Sequence, residues 1–289
     1  MSTTIGDILL SVAYRRGEDS LPSDVNESQR RLLYAAEAYR KICQANLYWF
    51  LQTVKAETSI ADKNRYPLWS GFREMIEVRV DNTVRIPIAD FQAHNEYYYP
   101  SSNFNYFYQY NDKNYYLDGS EIVFLPATSA PNPISISIAS VGTTATATST
   151  TPHGLINDDY VTISGCNEAV YNGQYSIIAT SATTFTFTIT STTGSATGTP
   201  IATPNNIRYR YYQRPVKITA LTDTVLIPDE YCDILVAYVC GRLCQLDGEK
   251  GDAADYFAEF EEIKMELNKE NLRRGIYGHS INSNFIKWN

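Results

Sequence analysis

The chain has 289 residues, 44% hydrophobic and 19% charged, enough for one large domain or two modest ones. That balance excludes wholesale disorder, a long coiled coil and a collagen-like fibre. Net charge is −8, from 32 acidic and 24 basic residues, which argues against a protein that grips duplex DNA by its phosphates but not against a passage that DNA crosses unheld. No apolar run approaches the roughly 18–20 residues of a membrane span, and the polar, amphipathic Met1–Asp19 reads as soluble and unprocessed. The five cysteines (Cys43, Cys166, Cys232, Cys240, Cys244) are scattered, odd in number and without a CxxC pair, a pattern of reducing compartments. Tyrosine is in excess, with 23 copies, and supplies large amphipathic contact area of the kind found at interfaces as well as in strands.

The first 55 residues read as helical. Ile5, Ile8, Leu9 and Val12 recur at helical spacing behind Thr4, with Asp7 completing a capping box. After Gly17 and Pro22, a stripe of Leu32, Ala36, Tyr39, Cys43, Leu47 and Phe50 predicts a long helix from Val25, with Arg30, Arg31, Glu37, Arg40 and Lys41 off the stripe. The period then switches. Ile76–Val80, Val84–Ile86, Tyr116–Gly119 and Glu121–Leu125 predict a small, half-buried antiparallel sheet. Its connection carries Tyr97, Tyr98, Tyr99, Tyr106, Tyr108 and Tyr110 among Asn and Ser; with almost no aliphatic residue it builds no core, and it is a candidate contact surface for a tail protein.

Between Pro131 and Asn206 the composition changes. Lys and Arg vanish, and Ile134, Ile136, Ile138, then Val161, Ile163, then Phe185, Phe187, Ile189 alternate with Ser or Thr between glycines. This is a small all-β module, a sandwich or a compact barrel, inserted in a host domain that resumes afterwards. Ile207–Tyr212 and Val225–Ile227 read as strands. Pro228-Asp229-Glu230 opens a helix whose stripe is Tyr231, Leu235, Tyr238, Arg242 and Leu246. The turn Gly248–Gly251, with Asp252 as cap, leads to a second helix carrying Ala253, Phe257, Phe260, Ile263 and Leu267, so the pair is an αα-hairpin. Gly275–Asn289 is short and ends in Phe285, Ile286 and Trp288.

The residues spell out no reaction. GxxxxGK[ST], GxGxxG and GxSxG are all missing from the sequence. Cys240 and Cys244 share a helix face, but no histidine stands near them, and buried small hydrophobes explain them better than metal ligands. His153 in Pro152-His153-Gly154-Leu155 reads as a structural turn residue rather than a general base. Asp158-Asp159 reads as a solvated loop rather than a carboxylate pair. Arg208-Tyr209-Arg210-Tyr211-Tyr212 mixes cations and rings as single-strand binders do, yet strand alternation separates the arginines from Tyr209 and Tyr211, which favours sheet packing. No catalytic residue, metal site or cofactor is expected.

Six stretches in order carry a resemblance: Tyr48-Trp49-Phe50-Leu51, Glu74-Met75-Ile76-Glu77-Val78, Tyr116-Leu117-Asp118-Gly119, Tyr211-Tyr212-Gln213-Arg214-Pro215, Leu226–Tyr231 and Gly251–Phe257. With these the chain resembles the head-to-tail adaptor (neck or connector) proteins of tailed bacteriophages, and residues 131–206 resemble the Ig-like and related β-domains inserted in phage structural proteins. The resemblance implies an α+β fold. Its helical-bundle adaptor core (1–130 plus 207–274) combines the long N-terminal helix and the C-terminal αα-hairpin with a small antiparallel sheet; 131–206 is the inserted Ig-like sandwich or small barrel, and 275–289 an extended tail. It further implies a ring, usually of twelve copies, assembled in the host cytoplasm and placed in the virion neck. Its partners there are the portal protein and a downstream tail, nozzle or stopper protein. Genomic DNA passes through the lumen without specific binding, and no membrane is involved. The tail that docks on portal would use Ile276, Tyr277, His279, Ile281, Phe285, Ile286 and Trp288. The acids Glu259, Glu261, Glu262, Glu266 and Glu270 are candidates for a ring wall or lumen lining that repels phosphates, a solvated outer face being the alternative. The other function compatible with the residues is a neck binding or decoration module whose β-domain touches host-surface glycans or another tail protein.

Overall fold

The computed structural model describes residues 3–87, 113–191 and 194–278. The chain divides into two compact units, residues 1–53, 71–73 and 212–289 in one and 54–70 with 74–211 in the other.

The first unit is built on four helices: α1 (Ile5–Arg15), α2 (Val25–Ala45), α3 (Asp233–Asp247) and α4 (Lys250–Gly278). The capping box is present at α1: Asp7 N donates to the Thr4 hydroxyl at 3.2 Å and Thr4 N to the Asp7 carboxylate at 2.9 Å. Asp24 caps α2 by accepting from Asn26 N. Helix α3 is apolar on nearly every side because it packs against α1, α2 and α4 at once; Ile234 through Gly241, with Leu243 and Cys244, are all buried. Gly248, at φ +84°, supplies the left-handed turn into α4, and Gly241 leaves room for the Phe257 ring against the backbone of α3.

Several local expectations change: Val225–Ile227 is not a strand, and the helix read as opening at Pro228 begins at Asp233, after a 3₁₀ turn at Asp229–Tyr231. Helix α2 stops at Ala45 instead of running through Phe50; Asn46 is extended, Trp49–Leu51 form a single 3₁₀ turn, and Arg73 donates to the Cys43 carbonyl at 2.6 Å, satisfying the last turn from outside. Helix α4 begins at Lys250, so Asp252 sits in its first turn rather than at its cap, and it continues through Gly278, four residues into the segment read as extended. Arg31, placed off the α2 stripe by spacing, is 4% exposed. Two carboxylates carry it inward: Glu18, which accepts from both terminal nitrogens at 2.7 Å, and Glu27, which accepts from Nε at 2.9 Å.

In the second unit the expected small antiparallel sheet is larger and mixed. Its seven strands are β1 (Gln52–Glu57), β2 (Lys63–Pro67), β3 (Phe72–Val80), β4 (Thr83–Pro87), β5 (Asn114–Asp118), β6 (Glu121–Thr128) and β14 (Ile207–Gln213). They run in the order β1-β14-β3-β4-β5-β6-β2, with β4 and β5 parallel. The outermost strands are successive in the chain, joined by residues 58–62, and the sheet curls until it is barrel-like. Tyr209 of β14 and Phe124 of β6, four places apart in that order, stack at 6.5 Å across the interior, with Tyr66 and Trp69 beside them.

Between β6 and β14 lies the all-β module: β7 (Ile134–Val141), β8 (Thr144–Ser149), β9 (Tyr160–Cys166), β10 (Gly173–Ser176), β11 (Ile178–Ala179), β12 (Thr184–Thr188) and β13 (Gly198–Pro204), in the order β10-β9-β13-β7-β8-β12-β11. The alternation read from the sequence is the one that packs it: Ile136, Ile138, Val161, Ile163, Phe185 and Phe187 share one core. Its edge strands β10 and β11 are separated by Ile177 alone, so this sheet also bends round on itself.

Candidate assembly surfaces

The end of α4 is gripped by the first of the motif stretches. Tyr48 is fully buried and donates its hydroxyl to the Asn268 side-chain oxygen at 2.9 Å; Asn46 donates to the same oxygen at 2.7 Å. Asn271 then accepts from Trp49 N at 3.1 Å and donates to the Leu47 carbonyl at 3.3 Å. Phe50 stacks on Tyr48, Trp49 meets Tyr231 edge-on, and the Arg274 guanidinium lies 4.6 Å over the Trp49 ring. These contacts fix the helix from which residues 279–289 continue. Of the expected docking residues, Ile276 and Tyr277 lie in the last turn of α4, while His279, Ile281, Phe285, Ile286 and Trp288 fall outside the described residues, as do Tyr97, Tyr98, Tyr99, Tyr106, Tyr108 and Tyr110.

The five candidate glutamates of α4 separate into two groups. Glu259 accepts from Arg15 at 2.7 Å, Glu261 pairs with Lys264 at 3.0 Å and Glu270 with Arg274 at 2.7 Å. Glu262 and Glu266 are exposed and make no ion pair among the described residues. Spacing treats all five alike; their partners distinguish them.

All five cysteines are buried and free, and burial pushes the Cys240 thiol up to about 11, holding it protonated near neutrality. No group of three or more potential metal ligands occurs among the described residues. Tyr209 and Tyr211 are buried and Arg210 is exposed on the other face of β14. The Tyr209 hydroxyl donates to Glu57, and its pKa is raised by burial and by that carboxylate. His153 accepts from Leu155 N at 3.0 Å with its ring edge-on to Phe185, the turn role expected of it. Asp159 departs from expectation: it is buried, not solvated, accepting from Ile156 N at 2.9 Å and facing Arg208 at 3.3 Å. With His153, Tyr160, Asn205 and Asp81 these two line a polar cleft of about 670 Å³. No helix of the described residues is long and apolar enough to cross a membrane.

The described residues form a capped four-helix unit, its last helix held near its end, and two curled sheets. The family model described as SU10 adaptor protein matches residues 3–281, nearly the whole chain, and the chain belongs to that family. Membership makes it a phage structural adaptor, a virion component that associates with other virion proteins. No curated protein matches it. Among solved structures the phage phi92 endosialidase aligns at 17% identity and a TM-score of 0.22, over 57% of this chain and 30% of its own length; a likeness that small carries no argument about fold or activity.

Proposed function

We propose that this chain is a head-to-tail adaptor, a non-catalytic virion protein that forms a ring beneath the portal, connects the capsid vertex to the tail and passes the genome through its lumen. The observation that carries the reading is the family match over residues 3–281, which takes in the helical unit, both sheets and the start of the C-terminal segment together. Twelve copies is the number the adaptor resemblance implies. The clamp of Asn46, Tyr48 and Trp49 on Asn268 and Asn271 supports tail docking, because it presents residues 279–289 from a fixed point. Phe285 and Trp288 then serve as anchors of the kind that dominate interface energetics. The net charge of −8 per copy suits a lumen through which phosphates slide.

Weighed in complex with portal, the full chain is expected as a multi-copy ring. A chain ending at Gly278 should unfold at the native midpoint yet bind portal more than about tenfold more weakly, the effect of losing one good aromatic anchor. Unchanged portal affinity after truncation removes tail docking; an unaltered chain that never joins the portal removes the adaptor reading.

The polar cleft beside His153 and Arg208 favours a second reading, in which the β-module touches host-surface glycans or another tail protein. Phage lacking residues 131–206 should then assemble but adsorb poorly, and normal adsorption eliminates this role.

A further inference from the structure

On the helical unit, a groove of about 700 Å³ runs between α2 and the segment Arg214–Ile218. Ala36, Tyr39, Pro215 and Ile218 line it, and the exposed side chains of Leu33 and Val216 stand at its mouth. Its charge is one-sided. The single acid in the lining, Glu37, is held by Lys41 at 2.8 Å, and Arg73 is occupied with the carbonyls that end α2. Arg40, Arg214 and Lys217 are exposed and make no ion pair among the described residues, whereas Arg15, Arg16 and Arg31 of the same unit are each paired. The rim of an apolar groove therefore carries three cations that make no ion pair among the described residues.

The complementary surface is on α4. Asp255, Ala258, Glu262, Met265 and Glu266 recur at helical spacing and are all exposed. None of these three acids makes an ion pair among the described residues, Met265 is 55% exposed, and beyond Lys269 the stripe adds Leu272 at 67%. An acidic ridge with exposed apolar side chains matches a basic groove lined by apolar ones. Residues 279–289 contain no Asp or Glu and lack that match. A nucleic acid would meet the cations but leave Leu33 and Val216 in water.

We infer that the α4 ridge of one copy seats in the α2 groove of the next, Glu262 and Glu266 facing Arg214 and Lys217. This rests on the ring reading above and names its subunit contact. Groove and ridge are different patches, so the contact is heterologous; repeated around a closing rotation it generates a ring. It assigns Glu262 and Glu266 to the joint between copies instead of the lumen lining.

Two full-length double variants test it by charge exchange. Arg214→Glu with Lys217→Glu places acid against acid; Glu262→Lys with Glu266→Lys places cation against cation. Each alone, weighed with portal present, should need at least about tenfold more protein to assemble than the unaltered chain, and the threshold of the unaltered chain should rise with salt. An equimolar mixture should assemble again, because every groove then meets an opposite ridge in alternating copies. Circular dichroism and unfolding midpoints confirm that both variants fold. Either variant assembling like the unaltered chain, or a mixture of folded variants that stays dispersed, overturns the groove contact and leaves the adaptor reading standing. An unaltered chain that fails to self-associate on portal overturns that reading itself. Loss of duplex DNA binding with assembly intact in the groove variant overturns the contact in favour of nucleic acid.

Discussion

Glu18→Gln is expected to destabilise the helical unit by about 2–3 kcal/mol at neutral pH, since it withdraws a charged acceptor from a buried cation. Arg31 is 4% exposed, and its two terminal nitrogens both end on Glu18. Glu27 stays on Nε, so the loss falls short of that for a wholly abandoned buried charge. The same pair makes stability depend on acid. The hydrogen bonds from Arg31 hold the Glu18 carboxyl below the ordinary value of 4.5. A depressed carboxyl contributes stability that is fully present above its unfolded value and disappears as pH falls through its folded value. Urea midpoints should therefore drop with acidification below about pH 4.5 in the unaltered protein and more shallowly in Glu18→Gln. Equal acid slopes in the two proteins would show that the pair is not what the acid limb reports.

Leu235→Ala should cost about 2–5 kcal/mol in the same unit, the usual range for opening a cavity where leucine was enclosed. Leu235 is 0% exposed, in the face of α3 packed among the other three helices. Leu246→Ala on that helix should change stability by no more than about 0.5 kcal/mol, because Leu246 is 54% exposed. Chemical denaturation of the two variants side by side checks the contrast, and similar midpoints for both would contradict the packing of α3. The periodic stripe drawn from spacing gave these two leucines the same standing; three-sided packing separates them.

Local signals were legible where a short stretch carries its own physics. Thr4 and Asp7 announce a helix start because each caps the other's backbone. The Ile-Ser-Ile and Phe-Thr-Phe runs of the module announce strands because side chains alternate faces, and the burial of Ile136, Ile138, Phe185 and Phe187 follows. Tyr209 and Tyr211 fall on one face of β14 for the same reason. Strands β1 and β2 were not legible. Gln52–Glu57 follows a helical stripe closely, and Lys63–Pro67 has little apolar content, so their state is set by neighbours distant in the chain. The candidate site divides likewise: the six motif stretches placed the chain among phage adaptors, but the partners of Tyr48-Trp49-Phe50 on α4, 220 residues further on, had no local trace.

The amino-acid sequence by itself determined the starts of α1 and α2, the alternating strands of an inserted β-module, the burden of negative charge and kinship with phage adaptors, since each rests on neighbours in the chain or on motif order. Only the tertiary structure decided that both sheets curl until their edge strands approach, that Arg31 enters the interior with two carboxylates, and that Glu262 and Glu266 make no ion pair among the described residues while Glu259, Glu261 and Glu270 are paired. The reason is the same in each case: which acceptor, ring or strand edge a group meets depends on contacts between segments far apart in the chain, where spacing holds no information.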